Sequence, residues 1–207
     1  MSDQNNFAEL QTRMRACRLC VEGGYQVTPP AVTQGQVTAR MMTIGQAPGI
    51  TEVEAKRPFN AGSGTRLFAW LREAGIDEDW FRSTQYMSSV TKCYPGRSKS
   101  GGGDRVPSRA EQKLCRPFLE EEIALVNPEL IILIGGLAIK LFFPAKAKLT
   151  EIIGTQMQTV EGRWIVPVPH PSGASRWHQI KENQALIQKA IGLIRGHKER
   201  MFGEEGN

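Results

Sequence analysis

The sequence predicts an α/β layered domain, and three observations carry that prediction. Short apolar runs ending in Gly or Pro alternate with longer segments of helical periodicity. The run Leu130–Ile134 (LIILI) is apolar at every position, as in a strand buried in a sheet. No internal repeat or linker-like stretch divides the 207 residues, a length that suits one compact domain with a real core.

The elements follow in order. Phe7, Leu10 and Met14 recur at helical spacing and predict a helix over 7–16. Residues 21–39 are rich in Gly, Pro, Thr and Gln and read as loop with a short hairpin. Residues 40–44 form the first strand, which runs into Gly45-Gln46-Ala47-Pro48-Gly49 and then a polar run to Lys56. Leu67, Phe68, Trp70, Leu71 and Ala74 make one helix face over 65–74, and Gly75 stands where that helix should stop. Residues 86–91 read as a strand and 94–107 (YPGRSKSGGGDRVP) as a mobile loop long enough to suspect a role.

Ser108 and Glu111 form a Ser-x-x-Glu capping box for a helix towards Val126, with Pro117 expected to kink or break it. A strand over 130–134 ends at Gly135-Gly136, and a short helix follows through Leu141. Segments 156–160 and 164–168 read as late strands joined by a Glu161-Gly162 turn. Ile180, Ile187, Ile191 and Ile194 stripe one face of a last helix, and the tail from Met201 is expected to fray.

The composition is that of a soluble globular chain, 40% hydrophobic and 23% charged. No apolar run reaches the ~18–20 residues of a membrane helix. The N-terminus has no basic-plus-apolar signal pattern, so a cytoplasmic location is expected. Lys plus Arg number 26 against 21 acidic residues, a net charge of +5 that favours an anionic partner such as nucleic acid without requiring one.

The four cysteines are Cys17, Cys20, Cys93 and Cys115. In a reducing cytoplasm such a set points to metal ligation or buried thiols rather than disulfides. Cys17-x-x-Cys20 puts two thiolates on one turn, in a polar, Arg-rich stretch. A zinc ribbon would normally show a second such knuckle. One knuckle plus two scattered cysteines suits a cubane iron–sulfur cluster better, with zinc as the competitor.

Taken together, the segments resemble the uracil-DNA glycosylase superfamily, specifically its iron–sulfur branches, families four and five. The resemblance is carried by Cys17-Arg18-Leu19-Cys20, Gly45-Gln46-Ala47-Pro48-Gly49, Arg57-Pro58-Phe59 and Val90-Thr91-Lys92-Cys93-Tyr94-Pro95. It continues through Cys115-Arg116-Pro117-Phe118-Leu119, Asn127-Pro128 to Gly135, and His170-Pro171-Ser172. Each motif is weak alone; their shared order, from Met14 to Arg176, is specific.

The resemblance implies a three-layer sandwich with a central, mainly parallel four-stranded sheet flanked by helices, and a site at the strand ends. It implies a single domain over residues 1–207 whose N-terminal region helps bind a [4Fe–4S] cluster through Cys17, Cys20, Cys93 and Cys115. It implies a monofunctional DNA glycosylase of base excision repair, acting as a monomer on DNA that carries uracil or a related deaminated base. The target nucleotide would be flipped into a pocket at a cost of a few kcal/mol.

Residue by residue, His170 would be the electrophile that hydrogen-bonds the base O2 as negative charge grows there. Gln46 would offer its backbone N–H to the same oxygen, with Gly45 and Ala47 beside it. Phe59 would stack on the flipped base. Ser172 and Gly173 would hold a phosphate, and Arg176 would fill the vacated stack or grip a phosphate. Lys92, Arg97, Lys99 and Arg105 are candidates for a backbone-tracking patch.

Two departures stand out. One branch of the family carries Glu where this chain has Gln46, and an amide holds no negative charge. Glu52 and Glu54 are the nearest carboxylates in sequence. Ser89 stands where the family usually has an Asn that reads the Watson–Crick edge of uracil, which opens the way to other deaminated bases. The rival expectation is a nucleic-acid-binding module that keeps the fold and cluster but has little or no glycosylase activity.

Overall fold

A computed structural model describes residues 3–99, 101, 103–173 and 175–203. In chain order the elements are α1 (Asp3–Ala16), α2 (Leu19–Glu22), β1 (Gln34–Gly35), β2 (Met41–Gly45) and α3 (Ile50–Ala55). Then come α4 (Gly62–Glu73), α5 (Glu78–Thr84), β3 (Tyr86–Ser89), α6 (Arg109–Val126) and β4 (Leu130–Ile134). The last are α7 (Gly136–Ile139), α8 (Leu149–Ile152), β5 (Met157–Gln158), β6 (Trp164–Val168) and α9 (Lys181–Phe202).

The sheet has six strands in the order β1-β3-β2-β4-β6-β5. Its inner four, β3-β2-β4-β6, are parallel. The expected four-stranded sheet is therefore extended by a two-residue antiparallel strand at each edge. Residues 21–39 do not fold on themselves as a hairpin; Gln34 and Gly35 pair with Met87 and Tyr86 instead. Every residue of β2, β3 and β4 is buried, so both faces of the sheet are covered. The covering helices fall into two packed groups, α1 and α2 with α6, and α4 with α5 and α9.

Local chemistry sets the boundaries. Ser108 Oγ accepts from Glu111 N at 3.3 Å and Glu111 Oε2 accepts from Ser108 N at 2.7 Å, the reciprocal cap the sequence predicts. Asp77 caps α5 by accepting from the N–H groups of Asp79 and Trp80, both at 2.9 Å. α6 runs unbroken through Pro117 for 18 residues. Its face buries Leu119 and Val126, and apolar burial worth about 1.5–3 kcal/mol per side chain offsets the ~3 kcal/mol cost of an internal proline. α9 continues past Met201 to Phe202, and the rest of the tail expected to fray, residues 204–207, lies outside the described residues.

Register decides where ligands fit. Gly45 sits level with Ser89, Ile44 with Leu133, and Ile134 with Val168. The carboxyl ends of the four parallel strands thus open at one rim. Parallel sheets bind ligands at such a rim, where successive strands diverge to opposite sides, as β3 and β4 do around β2.

Candidate active site and cysteine centre

At that rim lies a cavity of about 560 Å³. The turn from Gly45 to Gly49 forms one part of its wall, and Phe59, Ser88, Ser89, His170 and Ser172 contribute others. Of the residues singled out in the sequence, Gly45, Gln46, Ala47, Phe59, Ser89, His170 and Ser172 meet here. Gly173 and Arg176 are exposed on the following loop, outside the cavity wall.

The imidazole of His170 is seated on the end of β4. A Cβ at Gly135 would fall 2.9 Å from its Cδ2, and Gly135 has φ of +84°. Both facts call for glycine there. The N–H of Ser172 donates to His170 Nδ1 at 3.2 Å. A neutral ring then carries its proton on Nε2, which makes Nε2–H the available donor. Burial, and secondarily the charge of His178, hold the His170 pKa below its ordinary value.

Phe59 is held in a conformation rare for an aromatic residue, with φ of +51°. Three contacts fix it. Glu52 Oε1 accepts from Phe59 N at 2.6 Å. Buried Arg82 donates to the carbonyls of Pro58 and Phe59, both at 2.8 Å. The ring edge lies over Gly45, 3.1 Å from where a Cβ would sit. Sequence reasoning missed Arg82, because its partners lie more than 20 residues away and leave no local pattern.

Glu52, considered as a replacement acid, is committed to bracing. Its Oε2 accepts from Gly49 N and its Oε1 from Phe59 N, so it ties the 45–49 turn to the Phe59 loop. Burial raises its pKa, partly offset by those N–H groups. Glu54 is exposed and outside the cavity wall. Ser89 lines the cavity, and its hydroxyl donates to the carbonyl of Thr91 at 2.7 Å.

The 94–107 segment is tied rather than loose across its described residues. Arg105 N donates to Gly96 O at 2.9 Å, and the backbones of Arg97 and Asp104 pair in an isolated antiparallel β-bridge. The expected basic patch is reduced by two members. Lys92 is buried, 2.6 Å from Glu122, and Arg105 pairs with Glu111 at 2.7 Å, while Arg97 and Lys99 remain exposed.

A second cavity, of about 30 Å³, lies beside the N-terminal helices and is lined by Cys17, Cys20, Cys93 and Cys115. Among the described residues no group of three or more His, Cys, Asp or Glu could hold a single metal ion. Four cysteine thiols line this one cavity, the ligand number that a cubane iron–sulfur cluster takes. Burial pushes the Cys20 thiol up to about 11 and the Cys93 thiol up to about 12, and the neighbouring cysteines add to both shifts. A cationic centre would relieve that repulsion. Lys92 N donates to Cys115 Sγ at 3.4 Å, the kind of hydrogen bond that tunes a thiolate ligand.

The uracil DNA glycosylase superfamily model matches residues 32–194, which span the whole strand-end rim. This chain belongs to the uracil DNA glycosylase superfamily. Among curated relatives it is similar to the type-4 uracil-DNA glycosylase of Thermotoga maritima, 32% identical over 146 residues, or 70% of this chain and 71% of the relative. The Pyrobaculum aerophilum type-4 enzyme is 30% identical over 121 residues, 58% of this chain and 57% of the relative. The Archaeoglobus fulgidus one is 24% identical over 176 residues, 80% and 81%. The match places the chain in the family 4/5-like branch of the superfamily.

Proposed function

We propose that the protein is a monofunctional DNA glycosylase that flips out and excises uracil, or a related deaminated base, from DNA. One observation carries the reading: a neutral imidazole offering Nε2–H and the 45–49 turn share one cavity with an aromatic ring. Breaking the N-glycosidic bond leaves an anionic base and a cationic sugar. A donor already oriented at the base oxygen stabilises the anion without reorganisation. His170 supplies that donor, Gln46 and Ala47 supply main-chain N–H groups, and Phe59 supplies the stacking face. Ser172, Gly173 and Arg176 contact the DNA backbone around the extruded nucleotide. The type-4 relatives support uracil as the base.

Cys17, Cys20, Cys93 and Cys115 would hold a [4Fe–4S] cluster, which supplies a structural cross-link between the N-terminal helices, α6 and the segment after β3. The protein acts as a single-domain monomer in the cytoplasm. Among the described residues no helix is long and apolar enough to cross a membrane.

The test is strand scission by alkali after incubation with duplexes carrying one uracil, hypoxanthine or xanthine, with His170→Ala as control. Cleavage at uracil that depends on His170 supports the reading. Binding with no scission on any duplex favours the binding module.

A further inference from the structure

The 45–49 turn carries no acid, and Glu52 spends both carboxylate oxygens on backbone N–H groups. Another carboxylate nevertheless reaches the cavity wall. Asp104 lies on it, brought there by the tied segment between Tyr94 and Ser108. Its Oδ1 accepts from the Tyr94 hydroxyl at 3.0 Å, which leaves Oδ2 uncommitted to that bond. Oδ2 stands 3.2 Å from where a Gly49 Cβ would sit, so the absence of a side chain at Gly49 leaves the carboxylate room beside the turn. Unlike Glu52, Asp104 is exposed, so water reaches it.

We propose that Asp104 is the catalytic carboxylate of this site, supplied from the far end of a loop in place of an acid on the turn. The inference rests on the glycosylase reading above. The glycosidic C1′–N bond breaks and its electron pair leaves on the base. The sugar cation at C1′ takes the oxygen of a water molecule, and Asp104 accepts a proton from that water. The proton then passes to solvent, and the base anion is protonated in turn. A carboxylate at this point also opposes the positive charge of the sugar before water attacks. Charged and titratable groups around Asp104 are the Tyr94 hydroxyl, Arg97 across the bridge, Glu52 beyond Gly49, and His170 on the same cavity.

The experiment compares the full-length protein with Asp104→Asn, Asp104→Glu and Tyr94→Phe. It measures single-turnover cleavage of a uracil duplex from pH 4.5 to 8 and affinity for a non-cleavable 2′-fluorouridine duplex. A general base contributes about 10²–10⁴-fold. Asp104→Asn should lose about 100-fold or more in rate, keep its affinity for the analogue, and lose the acidic limb of the rate profile. Asp104→Glu should recover part of the rate, and Tyr94→Phe should lose far less. The inference is overturned if Asp104→Asn cleaves at near the unmodified rate. It is equally overturned if affinity falls as much as rate while the acidic limb persists, since that marks a structural role. Failure of the unmodified protein to cleave any duplex would instead sink the glycosylase reading, a separate result.

Discussion

The cysteine-lined cavity has a volume of about 30 Å³ and the strand-end cavity about 560 Å³, and their walls differ as much as their sizes. The smaller is lined by apolar side chains such as Met14, Leu114 and Phe118 and by four thiols from three separate segments. The larger is walled mainly by turns, with Gly and Pro at Gly45, Pro48 and Gly49 and single functional side chains such as His170. With the proposed cluster bound, the first would join distant chain segments. The second is shaped for a visitor that must enter and leave. A small volume with identical ligands stabilises a fold; a large one with unlike donors discriminates and reacts.

Between them runs a buried polar strut. Tyr86 donates to Glu122 at 2.7 Å, Ser88 donates to Glu122 at 2.8 Å, and Lys92 donates to Ser88 at 2.8 Å. Lys92 lines the cysteine cavity and Ser88 the strand-end cavity, so the strut touches both. Glu122→Ala should therefore damage both at once. Removing one partner of a buried pair costs about 3–5 kcal/mol, to be read in urea unfolding. Chromophore retention and analogue binding should fall together; if only one falls, the cavities are independent.

His170→Ala should separate them. Loss of one oriented donor costs about 10²–10³-fold in single-turnover rate, with visible absorbance of the cysteine centre unchanged. Phe59→Ala should weaken analogue binding by about 1–3 kcal/mol per stacked base and leave the cysteine centre intact. Ser108→Ala, at the cap of the helix that carries Cys115, should cost about 1 kcal/mol of stability and spare the catalytic rate.

The smallest effect is in pH. His170 is held below its ordinary pKa, so the unfolded chain binds its proton more readily than the folded one. Its stability contribution is present above about pH 6.5 and is lost as pH falls through the folded value. Melting temperature should decline below pH 6.5, while the His170-dependent rate factor stays flat from pH 7 to 8.

Much of this architecture was legible in the sequence because its signals are local. Leu130–Ile134, the Ser108–Glu111 box and Gly75 each announce an element within a few residues. Helices α3 and α5 escaped because both are short, with no more than three apolar residues each, although Asp77 two residues before Asp79 is a capping signal that could have exposed α5. The order of motifs brought His170, Phe59 and the turn into view together. Arg82, the role of Glu52 and the position of Asp104 escaped, because each depends on which loops the fold brings side by side. Lys92 illustrates the same limit: a basic residue beside a charged loop reads as surface, and only the buried Glu122 explains it.

The seat of the imidazole has an evolutionary consequence. Position 135 lies 35 residues upstream, just past the end of another strand, yet its missing side chain is what makes room for the ring at 170. Any larger residue there would evict the histidine while leaving every reactive group present in the gene. Activity in this lineage can thus be silenced, or its histidine retuned, from a site that a search of reactive side chains would never inspect.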